Sequence, residues 1–279
     1  LVGSEMCIRD RVPLTAGVPQ GSILSPLLYI FFIRQLPSKT SNEIMCSFYA
    51  DDICYSASDN PHKSRSTFAA THLQQILIEL ESFCTKWRIK LNPDKTVVLN
   101  SFNSKENNNT PRLWLRGELL KYEKSCKFLG ITFDENMTLE NHIEDIVTRA
   151  NKRLNLLKAI RGQVWGASSA TILYTFCTYV RPLLEYGGIL FSHEKENILK
   201  KLQSVEVQAI KIAYRLPPWA SNSWCYDLVS FEKITDRLKT LSKKFIDKNR
   251  EDELIKPLLE DLKPSMTGLH SPIYKIENF

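Results

Sequence analysis

At 279 residues, with 43% hydrophobic and 24% charged residues, the chain has apolar content for one or two ordinary cores and too much of it for wholesale disorder. Its formal charge of +6 favours a polyanionic partner such as nucleic acid, a bias shared by many unrelated proteins. Seven cysteines without a Cys-x-x-Cys pair argue against a disulfide framework and a zinc knuckle, and so for a reducing compartment; the longest apolar run, Ile23 to Ile33, is broken by Ser25 and Pro26 and is too short to cross a bilayer.

Residues 1–11 show neither a signal-peptide core nor an amphipathic period and are expected to be a foreign or artefactual start, in the manner of a translated sequencing adapter. From Val12 to about residue 134 short β-type runs mix with helices, and from Thr138 onward the pattern is almost wholly helical. This predicts an α+β fold divided near residue 135, with further regions over 136–215 and 216–279.

In chain order, the Gly17 to Ser22 loop leads into a helix that Ser22 or Ser25 would cap, with Pro26 in its first turn. Cys46 to Ala50 and Ile53 to Ser56 are β-favouring runs joined by Asp51 and Asp52, which predicts a hairpin. Phe68, Leu73, Ile76, Leu80, Phe83 and Trp87 recur at helical spacing as one buried stripe. A turn at Asn92 and Pro93 precedes a strand over Thr96 to Leu99, and the polar residues 100–112 read as an exposed loop. Phe128 to Phe133 is a further strand. Ile143, Ile146, Val147, Ala150, Leu154, Leu157 and Ile160 form the apolar stripe of a helix that Gly162 stops. Helices are predicted over Ser168 to Arg181, Glu196 to Ala213 and Glu232 to Arg250, and no internal repeat is present.

The chemistry is concentrated in Tyr49-Ala50-Asp51-Asp52, where two adjacent carboxylates interrupt an apolar, strand-forming run. In a tight turn both can approach one spot, where a divalent cation would offset their repulsion; the plainer reading is a solvated turn. Upstream, Gly17-Val18-Pro19-Gln20-Gly21-Ser22 is a shaped loop entering a helix N-terminus, which suits a phosphate-bearing ligand or serves as a simple connection.

These residues resemble the reverse transcriptases of LINE-type (non-long-terminal-repeat) retrotransposons, most closely the Jockey group. Gly17 to Ser22 with Leu24-Ser25-Pro26-Leu27-Leu28 resembles the template- and nucleotide-positioning motif, and Tyr49 to Asp52 the catalytic hairpin of the polymerase palm. Trp87 through Thr96, with Leu91-Asn92-Pro93-Asp94-Lys95, resembles the next palm motif, and Phe128-Leu129-Gly130-Ile131 the primer-grip hairpin before the thumb helices. The resemblance weakens beyond Tyr186-Gly187-Gly188.

The resemblance implies a partial palm, an antiparallel sheet with helices, followed by an all-helical thumb and C-terminal region. It implies two-metal nucleotidyl transfer with magnesium or manganese, deoxynucleoside triphosphates, an RNA template and a DNA primer. Asp51 and Asp52 would be the metal ligands and Lys95 would offset charge on pyrophosphate, although a lysine after a turn is as readily solvated. Pro19, Gln20, Gly21, Ser22 and Tyr49 would border nucleotide and template, and Phe128, Leu129 and Gly130 would form the primer grip or an ordinary core strand. Arg149, Lys152 and Arg153 share a helix face that would follow a nucleic-acid backbone or simply face water. For Arg237, Lys239, Lys243, Lys244 and Lys248 the solvated face is preferred.

The five histidines have no metal-ligand spacing. Ile33-Arg34-Gln35-Leu36-Pro37 departs from the family, which has an acidic residue before Leu-Pro. The family's further essential aspartate lies on a strand preceding Gly17, where this chain has only Glu5 and Asp10, so the chain is expected to be N-terminally truncated and inactive alone. The competing function is a non-catalytic nucleic-acid-binding remnant. An intracellular location, nuclear or cytoplasmic, and no membrane partner are expected.

Overall fold

The computed structural model describes residues 17, 21–37, 44–57, 67–100, 112–162, 165–192, 194–253 and 255–256. The loop expected at 100–112 lies outside them apart from its two ends, as does the chain start at 1–11. Two compact units divide between Glu123 and Lys124.

The first unit opens with helix α1, Ser25–Ile33, carrying Pro26 in its first turn, where a missing N–H matters least. The N-cap position falls on Leu24, whose side chain makes no cap hydrogen bond, and the Ser22 carbonyl accepts the Ser25 N–H. Strands β1, Ile44–Tyr49, and β2, Asp52–Ala57, pair antiparallel in a register that sets Phe48 against Ile53 and Tyr49 against Asp52. Alternation sends Phe48, Ile53 and Tyr55 to the core and leaves Met45 and Tyr49 exposed on the other face.

Helix α2, Thr67–Lys86, buries Ile76, Leu77, Leu80 and Cys84. Trp87, expected in that buried stripe, lies one residue past the helix and is exposed, its ring meeting Phe32 edge-on at 5.4 Å. A 3-10 turn, Pro93–Lys95, follows, with the Asn92 side chain accepting from the Asp94 N–H. Strand β3, Val97–Leu99, pairs with β6, Lys121–Glu123, and strand β4, Trp114–Leu115, with β5, Glu118–Leu119. The β3–β6 pair is parallel, which corrects the expectation of an antiparallel sheet throughout; among the described residues the strands form separate two-stranded pairs. Gln74 of α2 exchanges two hydrogen bonds with the Trp114 backbone, satisfying strand groups that β5 does not reach.

The second unit begins with strands β7, Ser125–Phe128, and β8, Ile131–Asp134, an antiparallel hairpin. The single strand read over Phe128 to Phe133 is therefore broken by a turn at Leu129 and Gly130, both with positive φ as a two-residue type I′ turn demands. The hairpin folds with the helices that follow, so the second unit is not all-helical and its boundary lies upstream of residue 135.

Those helices are α3, Glu140–Arg161; α4, Ser169–Thr175, running through a π-turn, Phe176–Val180, into α5, Arg181–Glu185; α6, Gly188–Phe191; α7, Glu196–Tyr214; α8, Asn222–Asp227; and α9, Ile234–Lys248. Ile143, Ile146, Ala150, Leu154 and Leu157 of α3 are buried with Phe176, Leu184, Leu202 and Leu238 in one core, whereas Ile160, expected in the same stripe, is exposed at the helix end. Gly188 lets α6 meet α9: a Cβ there would stand 2.5 Å from the Leu238 Cδ2 atom. The buried Glu206 carboxylate accepts from the Ile234 N–H and the Tyr226 hydroxyl, both at 2.8 Å, and lies 3.7 Å from the Arg181 guanidinium. Burial pushes its carboxyl above the usual range against the pull of these partners. Among the described residues no helix is long and apolar enough to cross a membrane.

Candidate active site

The β1–β2 ladder ends at the Tyr49–Asp52 pair, leaving Ala50 and Asp51 as a two-residue turn. Ala50 takes φ 51, a left-handed conformation that costs an L-residue about 1–2 kcal/mol. Both aspartates are exposed at this tip, Asp51 in the turn and Asp52 at the first position of β2. Accessible paired carboxylates are the hard oxygen donors a divalent cation takes, so the two side chains fit such an ion. Among the described residues no group of three potential metal ligands stands together, so the pair alone would supply only part of a coordination shell.

Helix α1 reaches the same turn. The Tyr29 hydroxyl donates to the Ala50 carbonyl at 2.5 Å. Burial pushes the Tyr29 phenol up, and the Asp51 charge adds to the rise, so the hydroxyl stays a donor. Sequence reasoning missed this residue; its only local signal is one polar-tipped aromatic in an apolar run four residues after Ser25.

Of the residues expected beside nucleotide and template, Tyr49 is exposed on the outer face of the hairpin, and Gly21 and Ser22 precede α1, Gly21 with φ 87. Pro19 and Gln20 lie outside the described residues. Lys95 closes the exposed 3-10 turn, on an element separate from the aspartate hairpin; its neighbour Asp94 pairs with Lys121 at 3.5 Å. Phe128, Leu129 and Gly130 form the tip of the β7–β8 hairpin in the second unit. Tyr186, whose role sequence reasoning also missed, donates to the Leu129 carbonyl there.

The three α3 cations are not equivalent. Arg149 pairs with Asp145 at 3.0 Å, and Arg153 donates to the Tyr179 carbonyl with its guanidinium 4.7 Å from that ring's centre. Lys152 is exposed. In the last helix Arg237 hydrogen-bonds Glu185, which takes it out of the solvated face proposed for it, while Lys239, Lys243, Lys244 and Lys248 are exposed.

A family profile described as reverse transcriptase (RNA-dependent DNA polymerase) matches residues 5–133. The chain is 25% identical over 246 residues to the RNA-directed DNA polymerase from mobile element jockey of Drosophila melanogaster, covering 85% of this chain and 26% of that protein. It is 25% identical to the probable RNA-directed DNA polymerase from transposon BS (87% of this chain, 27% of that one), and 21% to the one from transposon X-element (84% and 26%), both from the same organism. The chain thus spans about a quarter of the length of these curated relatives. No solved structure matches it.

Proposed function

We propose, from a chain whose residues 5–133 carry a reverse transcriptase domain of the non-long-terminal-repeat type, that it supplies the metal-binding hairpin and primer-holding region of an RNA-directed DNA polymerase. The observation that carries this reading is the exposed Asp51-Asp52 pair at a hairpin tip, tied to the helix that follows the Gly21-Ser22 loop. In this reading the first unit is a partial palm and the helices from Glu140 onward are a thumb and C-terminal region.

Asp51 and Asp52 would hold magnesium or manganese, which supplies the charge that activates a primer 3′-hydroxyl and stabilises departing pyrophosphate. Gly21 and Ser22, with Pro19 and Gln20 before them, would border the incoming deoxynucleoside triphosphate. Tyr49 would face template or nucleotide from the outer side of the hairpin, and Lys95 would offset phosphate charge. Phe128, Leu129 and Gly130 would steady the primer strand, and Lys152 with Arg149 and Arg153 would meet nucleic-acid phosphates. The partners of such a domain are an RNA template and a DNA primer inside the cell.

A non-catalytic nucleic-acid-binding remnant is the second reading, favoured by the absence of a third carboxylate beside the pair among the described residues. Iron-mediated cleavage separates the two. With Fe²⁺, ascorbate and peroxide the chain is expected to be cut beside Ala50 to Asp52, the cut suppressed by excess magnesium and absent in Asp51→Asn. Absence of a local cut in the folded wild-type chain supports the remnant.

A further inference from the structure

The two-residue turn bearing Asp51 has little of its own to hold it. Ala50 sits in a conformation that alanine disfavours, and the ladder beneath it ends at Tyr49 and Asp52. The Ala50 carbonyl points out of that ladder and takes its hydrogen bond from another element, the Tyr29 hydroxyl of α1 at 2.5 Å. A phenol is well suited to this task, because its ring has two rotatable bonds and, once packed, delivers its oxygen to one place. Packing is provided: Tyr29 is 6.5 Å from Phe32, and Phe32 in turn lies 5.5 Å from Phe83 and 5.4 Å from Trp87, at the end of α2. Much of the rest of α1 is exposed, including Leu27, Leu28, Ile30 and Phe31, so Tyr29 and Phe32 lie on its inward side with Ser25 and Ile33.

We propose that Tyr29 is a positioning residue for the metal-holding turn: by fixing the Ala50 carbonyl it sets where the Asp51 carboxylate stands, and it couples that carboxylate to the helix that begins beside the Gly21-Ser22 loop. This rests on the reading of Asp51 and Asp52 as metal ligands. Tyr29 touches neither ion nor substrate; it acts through the Ala50 backbone. Its consequence is that a ligand pressing on the loop end of α1 is felt at the Ala50–Asp51 turn through this hydroxyl, beside the apolar packing of Ile33 in the cluster that holds Phe48 and Ile53.

The test is manganese binding to the full chain, followed by electron paramagnetic resonance titration, with thermal unfolding measured on the same samples. Tyr29→Phe removes the oxygen and keeps the ring and its aromatic contacts. It is expected to weaken manganese binding about 5-fold, as loss of one ordering hydrogen bond implies, and to keep a cooperative melt shifted by no more than the loss of that one bond. Tyr29→Leu, which also loses the ring packing, is expected to weaken binding at least as much and to lower the melting temperature. Unchanged affinity in a folded Tyr29→Phe protein, in a titration where wild type binds and Asp51→Asn does not, overturns the proposal while leaving the metal site intact. Wild type that binds no manganese overturns the metal reading itself, and this inference with it.

Discussion

The Tyr186 hydroxyl donates to the Leu129 carbonyl at 2.6 Å, closing over a turn 57 residues away in the chain. Leu129 and Gly130 both have positive φ, and a Cβ added at Gly130 would come within 3.4 Å of the Tyr186 ring. The ring and the turn therefore hold each other. Tyr186→Phe, which removes only the hydrogen bond, is expected to lower unfolding free energy by about 1 kcal/mol. Gly130→Ala adds backbone strain and should lower it by about 1–2 kcal/mol. Urea unfolding checks both, and a Gly130→Ala protein as stable as wild type would show that the turn is not held as described.

His142 is fully buried, and its Nδ1 atom accepts the Thr132 N–H at 3.3 Å. Burial lowers its pKa below the ordinary 6.5; the Arg149 and Lys127 charges push the same way and Asp145 opposes them. The unfolded chain therefore takes up a proton near pH 6.5 that the folded chain refuses, so this contribution is complete above 6.5 and is lost as pH falls through it toward the depressed value. His142→Asn, which keeps an acceptor near Nδ1 and cannot titrate, should flatten unfolding free energy between about pH 7 and 5. A slope identical to wild type would assign it to other groups.

Lys152 and Arg153 should separate under mutation although they are adjacent. Lys152 is exposed, so Lys152→Ala is expected to leave stability unchanged and, if the lysine meets a phosphate, to reduce the salt dependence of nucleic-acid binding by about one unit of log–log slope. Arg153 is occupied with Tyr179, so Arg153→Ala should lower the melting temperature. Filter binding across a salt series, with melting curves for both variants, is the check. An unaltered slope in Lys152→Ala would assign the face to water.

Patterns repeating within a few residues were legible in the sequence. The Cys46 to Ser56 hairpin and the α3 stripe from Ile143 to Leu157 were visible because alternation and helical spacing each bury one face. The turn at Leu129 and Gly130 was legible only through the family resemblance, which put a hairpin there; local pattern reads one strand, because leucine seldom takes positive φ and the run Phe128 to Phe133 is otherwise continuous β-favouring sequence. Trp87 and Ile160 kept the helical period but fell at helix ends, where the neighbouring elements no longer cover them. The parallel β3–β6 pairing and the Tyr29 and Tyr186 hydrogen bonds join residues over 20 apart, a separation at which local pattern carries no partner information. The aspartate pair was legible as chemistry; the tyrosine that holds its turn was legible only as structure.

The most direct measurement of the central claim is primer extension on an RNA template with magnesium or manganese, using the chain alone and the longest open reading frame that contains it. Template-directed incorporation is expected from the longer polypeptide, dependent on the divalent ion and reduced at least 1,000-fold by Asp51→Asn, as the loss of a ligand to the reacting ion implies. Glu135→Gln, a carboxylate change at an exposed residue just beyond β8, should extend primers as wild type does. Extension that survives Asp51→Asn, or a folded longer polypeptide that binds template and primer yet incorporates nothing, would contradict the assignment of Asp51 and Asp52 as the metal-holding pair of a polymerase.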